Sequence, residues 1–451
     1  MRLDAEQLRK QILYTDNTEK YYQIKGKKYY ISQNGSDSNS GLSPESAFAS
    51  HEALENVTLA PGDAVLFERG SYFRIKKSIR VESGITYGSY GEGEKPVIST
   101  SPHNYAQQTW TETDDENVWQ ASFNYEPATG IIFDEGKEYG TLRHGDVVTK
   151  TPSGKTYYDG DVKLKENFEF HHDFKSGIIY LYCDKGNPSD IYNSIEILSN
   201  MTAIVRKENG IENVVIDNLC IKYCGGMGIA IGYSKGNISV TNCEIGYIGG
   251  RYFYGGRVRY GNAIEFWEGY HNITVKNNWI YQTYDSAITW QGRARIPVEN
   301  VVFNQNLLEY NHCDIEFFEY NSLRNFKMDD NIMRFTSGGW GDRSVDCDPR
   351  EEIEGCVRGM FSRLTGAVEN VSFSGNEMYA PMKRIINCPL NEGQLEHITC
   401  KNNILYFSPS HRASDEVIRV ETDKPISSTN REELEKAMSL FDDSMDIKYI
   451  D

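Results

Sequence analysis

Residues 261–320 read GNAIEFWEGYHNITVKNNWIYQTYDSAITWQGRARIPVENVVFNQNLLEYNHCDIEFFEY. Three short apolar runs inside this stretch fall into register: Ala263-Ile264-Glu265-Phe266, Ala287-Ile288-Thr289-Trp290 and Asp314-Ile315-Glu316-Phe317. After each comes a loop and a second alternating run, at Ile273-Thr274-Val275, Val301-Val302-Phe303 and Phe326-Lys327-Met328. Strand follows strand with no helical period. A unit this short and this regular is one coil of a parallel β-helix.

The repeat extends in both directions. Val214, Ile238, Ile273, Val301, Phe326, Val371 and Ile398 each open a strand, at spacings of 24, 35, 28, 25, 45 and 27 residues. A coil therefore takes about two dozen residues, and the two long spacings mark insertions. Five residues after an opening comes a polar column of Asn278, Asn306, Asn331, Asn376 and Asn403, with Cys243 beneath it. Strands about 4.8 Å apart let such amides bond up and down the stack as an asparagine ladder. The same register makes the sequons at Asn237, Asn272 and Asn370 turn residues.

Elsewhere the rhythm differs. The segment 1–27 precedes the first strand, and 28–101 carries the first coils, with turn-rich Asn34 to Gly41 and a short helix over Pro44 to Leu54. Over 102–198 the coil period is lost among alternating strands broken by Gly, Asp and Lys, which predicts a small antiparallel β module set into the solenoid. His171 and His172 lie there without metal-ligand spacing and read as surface residues. The main β-helix with its cleft spans 199–428. The tail 429–451 opens on Thr429-Asn430-Arg431-Glu432, a capping box before an amphipathic helix to Phe441.

Net charge is −18 and the sequence pI about 5.1, which argues against nucleic acid and anionic membrane as partners. No apolar run approaches the roughly 20 residues of a spanning helix. The charged start MRLDAEQLRKQILYTDNTEK lacks the apolar core of a signal peptide, so a cytoplasmic protein is expected. The nine cysteines are scattered, without C-x-x-C pairs or zinc spacing, and read as structural thiols. No metal or cofactor is expected, and the solenoid leaves room for a homo-oligomer. Aromatics at 12%, with 30 Tyr, suit a surface that meets sugar rings.

Side chains alternate along a strand. With Ile264, Ile288 and Ile315 inside, Glu265, Thr289 and Glu316 share the outer face, near Asp314, Trp267 and Gln291. Asp285 and His312 are neighbours on adjacent coils. Crowded carboxylates repel, which raises some of their pKa values and makes a proton donor available near neutral pH. Both insertions, Gly246 to Gly261 and Thr336 to Val357, leave between the ladder turn and this strand and are expected to wall the column into a cleft. Their content, Arg251 to Tyr260 and Gly338 to Pro349, combines aromatics with Arg and Asp.

Tyr29 to Phe48, the module ending at Tyr180-Leu181-Tyr182, and the coils after it resemble the right-handed β-helix superfamily of pectate lyases and β-helix glycosidases. Within it, the chain is similar to a bacterial group with motifs of the type GIEFW, YDAALTxQG, FEYW and GWGxxRxDP. These stand here as Ala263 to Trp267, Tyr284 to Gly292, Ile315 to Tyr320 and Gly339 to Pro349. The resemblance implies an all-β, right-handed parallel β-helix acting on carbohydrate. β-Helix β-xylosidases, which are retaining, are distantly similar; they place a nucleophilic Asp and an acid/base Glu on adjacent coils. Here Thr289 occupies the coil between Glu265 and Glu316, so that pair is not carried over.

The expected function is a glycoside hydrolase acting on an imported oligosaccharide. Glu265 and Glu316 are the acid/base pair, with Asp285 and Asp314 in reserve. Asn262, Trp267, Gln291, His312, Trp340, Arg343, Asp346 and Arg358 are the expected sugar contacts. Two coils separate the pair, about 9.6 Å of backbone, which points to inversion; a pair formed by Asp285 would allow retention. One rival is a lyase or epimerase gripping a uronate with Arg251, Arg257, Arg259, Arg293 and Arg295. The other is a carbohydrate-binding solenoid without catalysis.

Overall fold

The computed structural model describes residues 3–252, 258–268, 270–292, 298–318, 322–343, 355–358, 368–382, 384–388, 397–411, 416–420, 426–427, 431–439 and 441–450. Three long sheets run the length of a parallel β-helix. The first extends from Lys28–Ile31 to Ile398–Lys401, the second from Ile79–Val81 to Ile426–Ser427, the third from Tyr72–Arg74 to Asp446–Tyr449. Each coil visits the first sheet, then the third, then the second. Within these three sheets, among the described residues, only the last pair of the second sheet, Glu416–Val420 with Ile426–Ser427, is antiparallel.

The register follows the sequence pattern. Val214 pairs with Ile238, Ile238 with Ile273, Ile273 with Val301, Val301 with Phe326, Phe326 with Val371, and Val371 with Ile398. Inside the solenoid, Ile264, Ile288 and Ile315 are fully buried, and Trp290 stacks on Phe317 with centroids 5.3 Å apart.

The asparagine ladder is continuous. Asn278 Nδ2 donates to Asn306, Asn306 to Asn331, Asn331 to Asn376 and Asn376 to Asn403, at 3.0–3.2 Å. Each Nδ2 also reaches a strand carbonyl, for example Asn306 to Val275 O at 3.0 Å. At one end Cys243 N donates to Asn278; at the other, Asn403 Nδ2 donates to Asp442 Oδ2 at 2.8 Å. Every buried amide thus has partners, which a buried polar column requires. A second, exposed run of asparagines includes the sequon residues. Asn237, Asn272 and Asn370 all have φ between 52° and 57°, a left-handed conformation that asparagine tolerates best among residues with a Cβ.

Between Val97–Ser99 and Ile204–Arg206 the chain leaves the solenoid. Coils on either side pair directly across the gap: Ile204 with Ile79, Val215 with Thr86, Cys220 with Val97. The excursion holds a five-stranded sheet in the order Thr141–Leu142, Glu169–Asp173, Ile178–Tyr182, Val118–Ser122, Thr111–Glu112. It also holds a three-stranded sheet centred on Ala128–Phe133 and a hairpin of Val147–Lys150 with Thr156–Asp159. Tyr105, Trp110, Phe123, Phe133 and Phe170 form its own core.

His171 and His172 are not surface residues: they are 7% and 6% exposed. His172 Nδ1 accepts from Ala128 N and Nε2 donates to Phe123 O, both at 3.1 Å, so the ring pins two strands together. Burial lowers its pKa to about 4 and keeps it neutral.

Helices close the molecule. Ala5–Leu13, with Asp4 and Gln7 forming a capping box, lays Leu8 and Ile12 on Leu307 and Ile332 of the third sheet. Arg431–Ser439 adds Leu434, Ala437 and Met438 to the solenoid core. Thr429 and Asn430 of the expected capping box lie outside the described residues.

Candidate functional site

On the outer face of the second sheet one column runs Ala230, Glu265, Thr289, Glu316, Arg358, Asn387, each in register with the next. Glu265 is half-buried, Thr289 fully buried and Glu316 4% exposed. The strands put these Cα positions in line. Hydrogen bonds decide where the carboxyl groups point.

Asn262 Nδ2 donates to Glu265 Oε2 at 3.1 Å, and Asn262 Oδ1 accepts from Ser286 N at 3.1 Å. Glu265 is therefore held at the level of its own coil. Glu316 behaves differently. Ser286 Oγ and Gln291 Nε2, both one coil earlier, donate to its Oε2 at 3.0 and 3.2 Å. Glu316 leans back along the column towards Glu265, over the level of Thr289.

Burial, against the pull of the Asn262 bond and of Arg251, raises the Glu265 pKa to about 7; the negative charges of Glu316 and Asp285 add to the rise. An acid with a pKa near neutrality thus shares its column with a second carboxyl group held by Ser286 and Gln291, an arrangement that acid/base chemistry can use.

Asp285 lies half-buried beside this pair, its backbone oxygen accepting from Cys313 N at 3.1 Å. Asp314 is elsewhere in function. It is fully buried, with Asn311 Nδ2 donating at 3.0 Å and Thr336 Oγ1 donating to the other oxygen, and burial pushes its pKa to about 7. A carboxyl so enclosed meets no substrate, and the reserve role does not hold. His312 is 1% exposed with Nδ1 2.7 Å from Asp342 Oδ1, so it supports the corner instead of touching sugar.

Trp267 is half-buried and its indole N–H donates to Tyr233 OH at 3.2 Å, which leaves it at the rim of the column. Trp340 is the clearest correction. It is fully buried among Ile132, Leu198, Tyr223, Tyr247, Tyr281 and Tyr284, and its Nε1 donates to Gln282 O at 2.8 Å. Its ring lies against Gly130 of the module, where an added Cβ would come within 2.9 Å of Trp340 Cζ3. Trp340 is a bolt between solenoid and module.

Arg259 does the same work. Its guanidinium bonds Gly250 O at 2.7 Å and Thr129 O of the module, and stacks over Tyr284 at 4.4 Å. Both insertions, where described, clamp the module and do not form free cleft walls. The side chains of Arg343 and Arg358, and all of Asp346, Arg257, Arg293 and Arg295, lie outside the described residues.

Ser286, which orients Glu316, escaped the sequence reading, as did Asn311. The signal was present in the paired spacings Asn262-x-x-Glu265 and Asn311-x-x-Asp314, each an amide three residues before the carboxyl it binds.

No family model matches the chain, and no curated protein matches it. Among solved structures it is similar to XylC in complex with xylose, at 13% identity over 94% of this chain and 82% of that one, TM-score 0.42. A structure described as a glycoside hydrolase shares 9% identity over 94% and 96%, TM-score 0.46. A GH136 lacto-N-biosidase from Eubacterium ramulus shares 14% over 96% and 69%, TM-score 0.39. At such values these likenesses carry nothing about the chemistry of the column.

Proposed function

We propose that the chain is a glycoside hydrolase whose general acid is Glu265 and whose second carboxylate is Glu316. The observation that carries this reading is the pairing of a carboxyl pushed to about 7 with a carboxylate fastened by Ser286 and Gln291 one coil away. Glu265 protonates the glycosidic oxygen as the bond breaks. Glu316 stabilises or attacks the oxocarbenium-like centre. Asp285 and Arg251 set the field that Glu265 feels, one raising its pKa and the other restraining it. Asn262 and Gln291 are then positioning residues, since each holds a carboxyl group.

A broad panel of oligosaccharides and aryl glycosides tests the reading. Hydrolysis of at least one member is expected, with Glu265→Gln and Glu316→Gln each lowering kcat by about 10²–10⁴, the usual weight of a general acid or base. Release of products that carry an unsaturated uronate at their non-reducing end would put the lyase in its place. That rival has lost one of its grips, because Arg259 is spent on Gly250 and Thr129. Binding without turnover across the panel would favour the non-catalytic solenoid.

A further inference from the structure

A second feature lies on a different sheet. Across the outer face of the third sheet runs a groove of about 790 Å³, lined by Lys222, Glu244, Trp279, Tyr281 and Glu309 among others. Its floor follows the register Val97, Cys220, Glu244, Trp279, and on the next strand Glu309 pairs with Tyr281, so it crosses five successive strands. Four steps at about 4.8 Å make it roughly 19 Å long, along the solenoid axis. The N-terminal helix forms one wall through Leu13 and Tyr14, the latter 79% exposed. The inserted module forms the other through Glu135, whose carbonyl accepts from Tyr247 OH at 2.6 Å.

Four of the lining charges form two pairs, alongside Lys95, Glu94 and Glu135. Lys222 Nζ is 2.6 Å from Glu244, which also accepts from Tyr281 OH at 2.9 Å. Glu309 takes Arg9 at 2.7 Å and the Trp279 indole at 2.8 Å. An ionic occupant would meet both signs of charge at once. A purely apolar one would strand these paired groups away from water, at the cost that unsatisfied buried polar atoms carry. Aromatic edges alternating with balanced donors and acceptors suit a neutral ligand with apolar ring faces and hydroxyls on both edges.

We infer that this groove is a second glycan site, which holds a linear, uncharged oligosaccharide of about four sugar units along the rungs of the third sheet. The strand spacing, about 4.8 Å, is close to the advance of one pyranose in an extended chain, so each rung meets one sugar. The glycan class rests on the hydrolase reading; the groove and its charge balance do not. The groove shares its coils with the carboxylate column, one sheet earlier in the chain: Glu244 precedes Glu265, Trp279 precedes Thr289, and Glu309 precedes Glu316. A polymer held there stays beside the chemistry on the second sheet.

The test uses the full chain carrying Glu265→Gln and calorimetry with neutral linear hexasaccharides derived from xylan, mannan, glucan and galactan. Tyr14→Ala, which removes an exposed ring from the wall, and Trp279→Ala on the floor are added singly and together. The expected result is at least a tenfold loss of affinity in the double variant. In the chain with Glu265 intact, turnover of a disaccharide-length substrate stays within twofold. Unchanged affinity, or no binding by any hexasaccharide, overturns the groove proposal. Binding that weakens as expected in a chain that hydrolyses nothing sustains the groove and overturns the hydrolase.

Discussion

Ser286 and Glu316 belong to adjacent coils, yet Ser286 Oγ donates to Glu316 Oε2 at 3.0 Å, and Ser286 N in turn donates to Asn262 Oδ1 at 3.1 Å. One small residue therefore ties together the amide that holds Glu265 and the carboxylate that faces it. Neither carboxyl can be moved without disturbing the other.

Ser286→Ala removes one donor from Glu316 and leaves Gln291 in place. A hydrogen bond to a charged group contributes about 1.5–3 kcal/mol, and one pKa unit corresponds to about 1.4 kcal/mol. The acidic limb of kcat/KM is expected to move up by about one unit, with KM little changed. A pH–rate profile that does not move would show that Ser286 merely packs.

Glu265 makes two pH-dependent predictions of the same sign. Its folded pKa, about 7, lies above the ordinary carboxylate value, so the folded state holds the proton more tightly. Its share of stability is complete below the ordinary value and is lost as pH rises through about 7. Activity falls over the same window, because a deprotonated Glu265 cannot serve as an acid. Melting temperature against pH, in native chain and Glu265→Gln, checks the first. The variant is expected to lose part of the alkaline destabilisation and to keep the part due to Asp314, whose pKa is raised to the same value.

Trp340→Ala tests the module interface. Truncating a fully buried tryptophan costs about 3–5 kcal/mol, and here the cavity opens where module and solenoid meet. Melting is expected to shift down by several degrees, with kcat per folded molecule unchanged. Loss of substrate affinity at full stability would return Trp340 to the site.

The fold was legible because its signals are repetitive. Ile264, Ile288 and Ile315 recur at coil spacing, and Asn278 through Asn403 recur as buried amides that only a stacked geometry can satisfy. Local chemistry reads less well. Trp340 and Arg259 read as cleft walls in the sequence because large aromatics and arginine serve both sugar sites and anchored interfaces. Periodicity places Cα atoms in register but is silent on where a long side chain leans. That omission matters most at Glu316.

Backbone register alone puts Glu265 and Glu316 two rungs apart, about 9.6 Å, in the range that suits inversion. The bonds from Ser286 and Gln291 draw the Glu316 carboxylate back to the level of Thr289, while Asn262 keeps Glu265 on its own coil. The carboxyl groups are thereby drawn closer than the two strand spacings, about 9.6 Å, that separate their Cα positions. Retaining glycosidases hold their pair about 5–5.5 Å apart and inverting ones about 6.5–9.5 Å. Retention is therefore the expected outcome, with Glu316 as nucleophile and Glu265 as acid and then base. Proton NMR of the first-formed anomer decides between them. An inverted product would mean that a water molecule, not Glu316, attacks the sugar, and Ser286→Ala would then be expected to leave the stereochemistry as it is.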